Sequence, residues 1–320
     1  MSAPEERGIS RREAVVRLAQ AGVAAAAVGA GVIAFTDRRA AAAVPPSVRD
    51  WRMTGEPLRA VAARGADPAA NVRRALAALG GMGRFVRKGE VVLVKPNVGW
   101  DRLPAQAANS DPDVVAEVVR QALGAGARKV IVADISCNDP RRCFGRSGVR
   151  ETAEKAGAVV LDGSQLRLVP AGLSGAAAGL EVIEPLLAAD RVVNVPVAKH
   201  HGLSGVTLGF KNWFGVLGQG RNRLHQDIDR SIAELGATFR PTLTVVDATR
   251  VLLGNGPQGG SLSDVKAIGA VAVGTDPVLL DAWGARQLGV DPRTLGFIAE
   301  AERRDLGRSD LSLVRELGKS

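Results

Sequence analysis

The sequence has no tyrosine, few other aromatic residues and only two cysteines among its 320 residues. Two cysteines cannot supply the four thiolates that usually hold an iron–sulfur cluster, so we expect no self-contained cluster. A Gly-rich phosphate loop, a dinucleotide fingerprint, a nucleophile elbow and zinc-type spacings of cysteine and histidine are also absent. We therefore do not expect the nucleotide-binding, hydrolase and zinc-dependent classes that those motifs define.

The chain carries a formal net charge of +9. Hydrophobic residues make up 46% and charged residues 23% of the sequence, which is close to the average of globular domains. A positive surplus favours attraction to a small anionic ligand, a phosphate-rich surface or an anionic lipid. Because no stretch interleaves basic residues with stacking aromatic residues, we do not expect nucleic acid as a partner.

Residues 1–43 have the form of a twin-arginine export signal. Arg11 and Arg12 form the pair, an apolar stretch rich in alanine and glycine follows, and Ala40–Ala43 offers small residues for cleavage. We therefore expect the twin-arginine translocase as a partner and a location on the periplasmic or extracellular face. In the alternative interpretation, residues 14–35 remain as a membrane anchor.

Residues 44–68 are predicted to form a linker, and residues 69–320 one α/β domain. Short apolar runs alternate with helical periodicity, which predicts a mostly parallel sheet with helices on both faces. Ligands of such sheets bind beyond the carboxyl ends of the strands, so we expect a cleft there. The predicted strands are Val91–Val94, Lys129–Asp134, Ala158–Leu161, Arg191–Val197, Leu243–Val246 and Val265–Val273, and the predicted helices are Asn71–Leu79, Asp111–Leu123, Val149–Ala156, 204–216, Asp227–Leu235 and Pro277–Leu288.

The segment after the fourth predicted strand carries side chains suited to proton transfer. His200 and His201 are two of only three histidines, and imidazole suits both acid–base chemistry near neutral pH and metal binding. Lys199 precedes them, and Lys211 and Asn212 follow a Gly-rich stretch. We expect catalytic roles for His201 and Lys211, ligand contacts from the other three residues, and a metal on the two histidines. A surface histidine pair beside a helix start is the alternative.

Other strand ends supply further candidates. Lys95 and Asn97 flank a proline, and a lysine there is suited to hold a carboxylate or phosphate, although an ordinary turn is the alternative. Asp247 follows a predicted strand and is a candidate catalytic carboxylate. Asn255 and Asp276 are candidate ligand contacts. An aspartate before proline at a helix start is equally typical of a helix cap.

Cys137 and Cys143 bracket a short loop that contains a proline and two arginines. In an oxidising compartment a disulfide would close this loop. Two free thiols are the alternative, and the spacing does not decide between the two states.

Several of these motifs together resemble the domain-of-unknown-function 362 family over about residues 90–290. Many members of that family look like iron–sulfur proteins because they carry an appended ferredoxin segment. This chain lacks such a Cys-rich segment, so a redox role would need a separate redox partner. The segments that carry the resemblance are Leu93–Asn97, His200–Gly202, Thr207–Asn212, Gly254–Pro257 and Asp276–Asp281.

A more distant resemblance links the segment from His201 to Lys211 to the nickel-pincer lactate racemase group. In that group a histidine, a Gly-rich stretch and a lysine occur at this spacing, and the lysine holds the cofactor covalently. The resemblance implies a similar fold and pocket more than the same reaction. His225 is the one other histidine of the chain.

Together these observations predict an exported enzyme of the oxidoreductase or isomerase type that acts on a small anionic substrate or cofactor. His201 would be the acid–base residue, and Lys211 would anchor the anion or cofactor. The identity of the cofactor stays open, with a metal among the candidates. The alternative is a non-catalytic extracytoplasmic protein that captures an anion or a metal in the same cleft.

Replacing Arg11 and Arg12 together by lysine should abolish export and leave full-length precursor in the cytoplasm, because the translocase recognises the paired arginines. Cell fractionation followed by immunoblotting measures the outcome. Arg17→Lys, outside the pair, serves as the matched control. Wild-type export of the double variant would contradict the twin-arginine interpretation.

Overall fold

Strands and helices alternate through residues 47–57 and 59–318, the part of the chain that the computed structural model describes. The strands are β1 (Ala60–Arg64), β2 (Val91–Pro96), β3 (Lys129–Asp134), β4 (Val159–Asp162), β5 (Leu168–Pro170), β6 (Glu181–Ile183), β7 (Arg191–Val195), β8 (Val197–His201), β9 (Gly205–Thr207), β10 (Leu243–Leu252), β11 (Val265–Gly274) and β12 (Val314–Glu316). The helices are α1 (Pro68–Ala78), α2 (Pro112–Gly124), α3 (Pro140–Arg146), α4 (Val149–Lys155), α5 (Glu184–Ala188), α6 (Gly209–Asn212), α7 (Ile228–Thr238), α8 (Pro277–Gln287) and α9 (Gly296–Arg303).

The predicted export signal, residues 1–43, and the alternative anchor, residues 14–35, lie outside the described residues. Within the described part, no helix has both the length and the apolar character needed to cross a membrane.

The main sheet has the strand order β12-β1-β11-β10-β7-β2-β3-β4, with β8 attached to β10 and β9 attached to β8. Strands β10, β7, β2, β3 and β4 run parallel to one another, whereas β11 is antiparallel to both of its neighbours. The carboxyl ends of five strands therefore meet at one edge. This arrangement confirms the predicted mostly parallel sheet.

Helices cover both faces of this sheet, as predicted. Along β2, Val92 and Val94 belong to one apolar core and Val91 and Leu93 to the other, because successive side chains of a strand point to opposite faces. Helices α1 and α2 pack into the first core, and α7 and α8 pack into the second. Burial on both faces explains why the strands are almost continuously apolar.

The order in which the chain adds strands to the sheet changes sides at β2, although β2 and β7 remain parallel. From β2 it passes through α2 to β3 on one side, while β7 pairs with β2 on the other side. In open α/β sheets such a switch of strand order leaves a crevice at the carboxyl ends of the two strands. The fold therefore places a cleft beside the last residues of β2.

Two expectations about local structure need correction. Residues 60–64 of the predicted linker 44–68 form β1, which pairs with β11 and β12, so the folded domain begins before residue 69. The predicted helix 204–216 is instead β9, followed by the four residues of α6 and a 3-10 turn. Gly205 has φ of 73°, which permits the tight turn into β9.

The short helix α6 is held by a carboxylate from another helix. The two carboxylate oxygens of Asp281, in α8, accept hydrogen bonds from Gly209 N at 2.7 Å and Phe210 N at 3.0 Å. A Cβ at position 209 would lie 2.7 Å from Asp281 Oδ1, so only glycine fits there. Because four residues are too few for a helix to be stable alone, Asp281 fixes the segment that carries Lys211 and Asn212.

Candidate functional site

A cleft of about 720 Å³ lies beyond the carboxyl ends of β2, β3 and β8. This is the edge at which the sequence predicted a cleft, and the volume suits a small molecule. Apolar walls come from Trp100, Leu166, Phe214, Leu217 and Pro257. The predicted site residues that line it are Lys95, Asn97, Lys199, His201, Lys211 and Asn212.

A second, more open depression of about 900 Å³ lies between α8 and the C-terminal segment. Its lining contains several arginines but no lysine or histidine, and one of those arginines, Arg293, is paired with Asp291. None of the predicted site residues lies there. Of these two cavities, only the cleft at the strand ends contains predicted site residues.

A fully buried ion pair forms the floor of the cleft. Lys95 Nζ, at the end of β2, lies 2.7 Å from Asp134 Oδ1, at the end of β3. The same ammonium group donates to Asn212 Oδ1 at 2.8 Å and to Pro96 O at 2.6 Å. The second oxygen of Asp134 accepts from Val98 N at 2.7 Å. Both charges are thus compensated by hydrogen bonds, as a buried ion pair requires.

Three asparagines extend this contact across the sheet edge. Asn97 Nδ2 donates to Asn212 Oδ1 at 2.9 Å, and Asn212 Nδ2 donates to Asn194 Oδ1 at 2.8 Å. Asn194 Nδ2 donates in turn to Gly209 O at 2.9 Å. Because each amide uses both its donor and its acceptor side, the network fixes the position of α6 relative to β2 and β7.

Lys199 and Lys211 are buried amines without a carboxylate partner within the described ranges. Lys199 Nζ donates to Asn97 Oδ1 at 2.9 Å and to Ala108 O at 2.5 Å. Lys211 Nζ lies 3.4 Å from the centroid of the Phe214 ring. Burial disfavours the ammonium form and lowers the pKa of each lysine to about 7. Both amines are therefore partly neutral near neutral pH.

His201 is held as a neutral imidazole. Its Nδ1 accepts hydrogen bonds from Leu203 N at 3.2 Å and Ser204 N at 3.3 Å, so the proton of the neutral ring belongs on Nε2. Burial, followed by the charges of Lys211 and Lys199, lowers the pKa of His201 to about 3. The ring therefore offers Nε2–H as a hydrogen-bond donor throughout the physiological pH range.

The cleft also contains residues that the sequence interpretation did not assign to the site. His225 stacks on His201 with ring centroids 6.2 Å apart. Arg221 donates to the carbonyl groups of neighbouring loops, and Thr207 Oγ1 is buried without a hydrogen-bond partner in the described part of the chain. Asp134 is the last residue of a predicted strand, so the strand-end rule could have identified it. Thr207 ends the short strand β9, and Arg221 and His225 lie in a 3-10 turn, in segments whose path the local sequence does not reveal.

Four of the predicted site residues do not line the cleft, namely Asp247, Asp276, Asn255 and His200, the last of which is described below. Asp247 is buried and accepts from Asp111 N at 2.7 Å and Thr249 N at 2.9 Å, so it supports the start of α2. Asp276 caps α8, which is the alternative considered above. Asn255 has φ of 54° and donates to an aspartate of its own loop. The structure gives each of these side chains a role within the fold.

The two adjacent histidines do not face one site. They follow one another in β8, so their side chains point to opposite faces of the strand. His201 lines the cleft, whereas His200 Nδ1 accepts from Gly256 N at 3.1 Å. The described chain contains no group of three or more His, Cys, Asp or Glu side chains that could hold a metal ion. The predicted metal site on His200 and His201 is therefore not formed by this geometry.

Both cysteines are free thiols. Cys143 lies on the inner side of α3 and is fully buried in the core. Cys137 is exposed and lines the cleft. With one thiol exposed and the other buried, and no bond between them, the structure favours the free-thiol alternative over the disulfide.

The fold and site define an α/β protein with a cation-rich binding cleft at the strand ends. Residues 92–286, more than half of the chain, match the family described as domain of unknown function 362, and the chain belongs to this family. It is 28% identical over 253 residues to a thylakoid-associated protein of Synechocystis sp., a match that covers 77% of each chain.

Two solved structures are similar at low sequence identity. A structural-genomics protein from Thermotoga maritima is 12% identical over 74% of this chain, with a TM-score of 0.35. The lactate racemase apoprotein from Thermoanaerobacterium thermosaccharolyticum is 14% identical over 76% of this chain, with a TM-score of 0.36. The match covers 60% of each of those two chains.

Gly215→Ala should destabilise the protein by about 3–5 kcal/mol, because it separates a buried ion pair. A Cβ at this position would overlap Asp134 Oδ1 and lie 2.7 Å from Lys95 Nζ. Urea unfolding measures the change. Gly145→Ala is the control, since a Cβ there meets no atom within 4 Å. Equal stability of both variants would show that the ion pair does not need this close approach.

Proposed function

We propose that the cleft binds a small anion and that the protein is an enzyme of the isomerase type, which moves a proton on that anion. The observation that carries the proposal is the charge of the lining. Lys95, Lys199, Lys211 and Arg221 line the cleft, and the acidic side chain among the lining residues is Asp134, which is already paired with Lys95. The remaining positive charge is unmatched until an anion enters.

Lys199 and Lys211, the two lysines without a carboxylate partner in the described chain, support this assignment further. Burial is the main cause of their pKa values of about 7, and neither amine is paired with a carboxylate in the described part of the chain. An opposite charge within a few ångströms favours the ammonium form, so a bound carboxylate or phosphate would raise both pKa values. Binding of the anion and uptake of protons by Lys199 and Lys211 would then be linked.

The neighbouring groups are suited to proton transfer. A lysine with a pKa near 7 is available both as an acid and as a base at neutral pH, which is the condition for efficient general acid–base catalysis. His201 Nε2–H would donate a hydrogen bond to an oxygen of the substrate on which negative charge develops. Its low pKa keeps it a donor rather than a charged acid.

In this proposal the cleft acts in the folded, exported domain, and the twin-arginine translocase delivers it. The apolar walls around Trp100 and Phe214 would exclude water from the bound anion and strengthen its contacts with the lysines. A small organic acid fits this combination of cations at the floor and apolar side chains on the walls.

The anion-binding half of the proposal is tested at Cys137, which lies at the cleft. Anionic iodoacetate should alkylate Cys137 faster, relative to neutral iodoacetamide, than it alkylates free cysteine, by about tenfold at low salt. Peptide mass spectrometry measures both rates. Lys199→Gln should lower the ratio, whereas Lys155→Gln, on the exposed face of α4, should leave it unchanged. A ratio equal to that of free cysteine would refute the proposed attraction of anions.

The catalytic half is tested by exchange of carbon-bound hydrogen. A panel of small 2-hydroxy and 2-oxo acids is incubated with the protein in D₂O, and NMR follows exchange of the hydrogen at C2 of the hydroxy acids and of the hydrogens at C3 of the oxo acids. His201→Gln should lower the exchange rate by about 10²-fold or more while leaving the melting temperature nearly unchanged. Protection of Cys137 by these acids without exchange would instead indicate a binding protein.

A further inference from the structure

The three lysines of the cleft differ sharply in how their amines are solvated. Lys95 Nζ has an aspartate, an asparagine and a backbone carbonyl as partners. Lys199 Nζ donates to a side-chain and a backbone oxygen. Lys211 is only 7% exposed, and its Nζ makes no hydrogen bond to the described part of the chain. Its close neighbour is the face of the Phe214 ring.

This difference has a chemical consequence for the nitrogen of Lys211. An ammonium group needs hydrogen-bond acceptors, and leaving one buried without them is costly. The ring face stabilises an ammonium group only modestly, and the charges of Arg221 and Lys95 oppose its protonation. Because Lys211 lines the cleft, its free amine is therefore available there. Desolvation beside other cations is the environment that activates a lysine as a nucleophile.

We propose that Lys211 forms an imine with a carbonyl group of the bound anion, so that the substrate class is a small acid that also carries an aldehyde or ketone. This inference rests on the proposed anion-binding function and adds the covalent step to it. Lys199 would face the acid group, while the carbonyl carbon would lie at Lys211.

The step balances without another reactant. The lone pair of the neutral Nζ adds to the carbonyl carbon and forms a C–N bond. Both Nζ protons then pass to the carbonyl oxygen, which leaves as water, and the C=N double bond remains. The imine withdraws electrons from the neighbouring carbon and so makes its hydrogen more acidic, which is the chemistry that an isomerase of a small acid needs.

Two further groups are placed to assist this step. His201, which lines the same cleft as Lys211, would offer Nε2–H to the carbonyl oxygen. Thr207 Oγ1 is buried at the cleft with no partner in the described chain, so a ligand oxygen or the departing water would satisfy it. A buried unpaired hydroxyl is costly unless something binds to it.

Reductive trapping tests the proposal on the full-length wild-type chain. Glyoxylate, an anionic aldehyde, is added with cyanoborohydride near neutral pH, and the modified lysines are mapped by peptide mass spectrometry. Hydride addition to the imine carbon converts it to a stable secondary amine. Lys211 should be modified at least about tenfold faster than the exposed Lys155, since each unit of lowered pKa raises the neutral fraction about tenfold.

Two controls separate the covalent step from binding. Lys211→Arg keeps a positive charge but cannot form an imine, so the fast modification should vanish. Glycolate, which has the same charge but no aldehyde, should compete with glyoxylate and slow the modification. A third comparison uses uncharged acetaldehyde, which should show a smaller preference for Lys211 over Lys155, because it keeps the advantage of the lowered pKa but not the attraction of the cleft for an anion.

The outcomes are distinct. Preferential, glycolate-sensitive modification of Lys211 supports the imine. Modification of Lys199 in its place, or equal rates at Lys211 and Lys155, overturns it. If glycolate protects Cys137 from alkylation but Lys211 is not trapped, the anion-binding function stands and the imine is wrong. If glycolate protects neither residue, the proposed function itself fails.

Discussion

The buried pair of Lys95 and Asp134 is the contact on which the cleft depends. It joins the carboxyl ends of β2 and β3, and through Asn212 it also fixes α6. A buried ion pair is stable only when its remaining hydrogen-bonding capacity is used, and here an asparagine, a backbone carbonyl and two backbone amides fill it. The edge of the sheet is thereby rigid before any ligand arrives.

That rigidity explains why the pKa values of Lys199 and Lys211 are lowered. A flexible edge would let Lys199 and Lys211 turn toward water and keep their ordinary pKa values. Because the backbone around them is fixed, burial instead lowers the pKa of both lysines to about 7 and that of His201 to about 3. One cause, the removal of water from the strand ends, produces both the positive potential and the neutral donors of the site.

The sequence predicted the part of the site that follows from the fold. Lys95, Asn97 and His201 end strands of a parallel sheet, and such ends meet at one edge, so their meeting could be inferred from periodicity alone. Asp247 was predicted to follow a strand and reach the cleft, but β10 continues past it. Its carboxylate therefore lies within the sheet rather than beyond the strand end. His225 could not be predicted, since its place depends on the path of a loop.

The strands, too, divide into those that local sequence predicted and those that depend on distant parts of the chain. The apolar runs predicted the central strands, whereas β1 was missed because its pairing partners, β11 and β12, lie some two hundred residues away in the chain. Local periodicity reports burial, but it does not report which distant strand completes a sheet. The short strand β9 was missed likewise, because Gly205 turns the chain back on β8 within a segment whose composition is also compatible with a helix start.

Two glycines, the first residue of α6 and one shortly after its end, explain how Lys211 is held in place without a carboxylate partner in the described chain. At one end Gly209 allows Asp281 to approach the first amides of the helix, and at the other Gly215 packs against Asp134 and Lys95. Neither contact involves the side chain of Lys211. Helix α6 is therefore held in position through its backbone and through Asn212. The amine of Lys211 takes no part in these contacts. A buried lysine that stabilises the fold is expected to pair with a carboxylate, as Lys95 does with Asp134. Lys211 has no such partner in the described chain, so the cleft contains one lysine that is structural and one whose amine is available to a ligand.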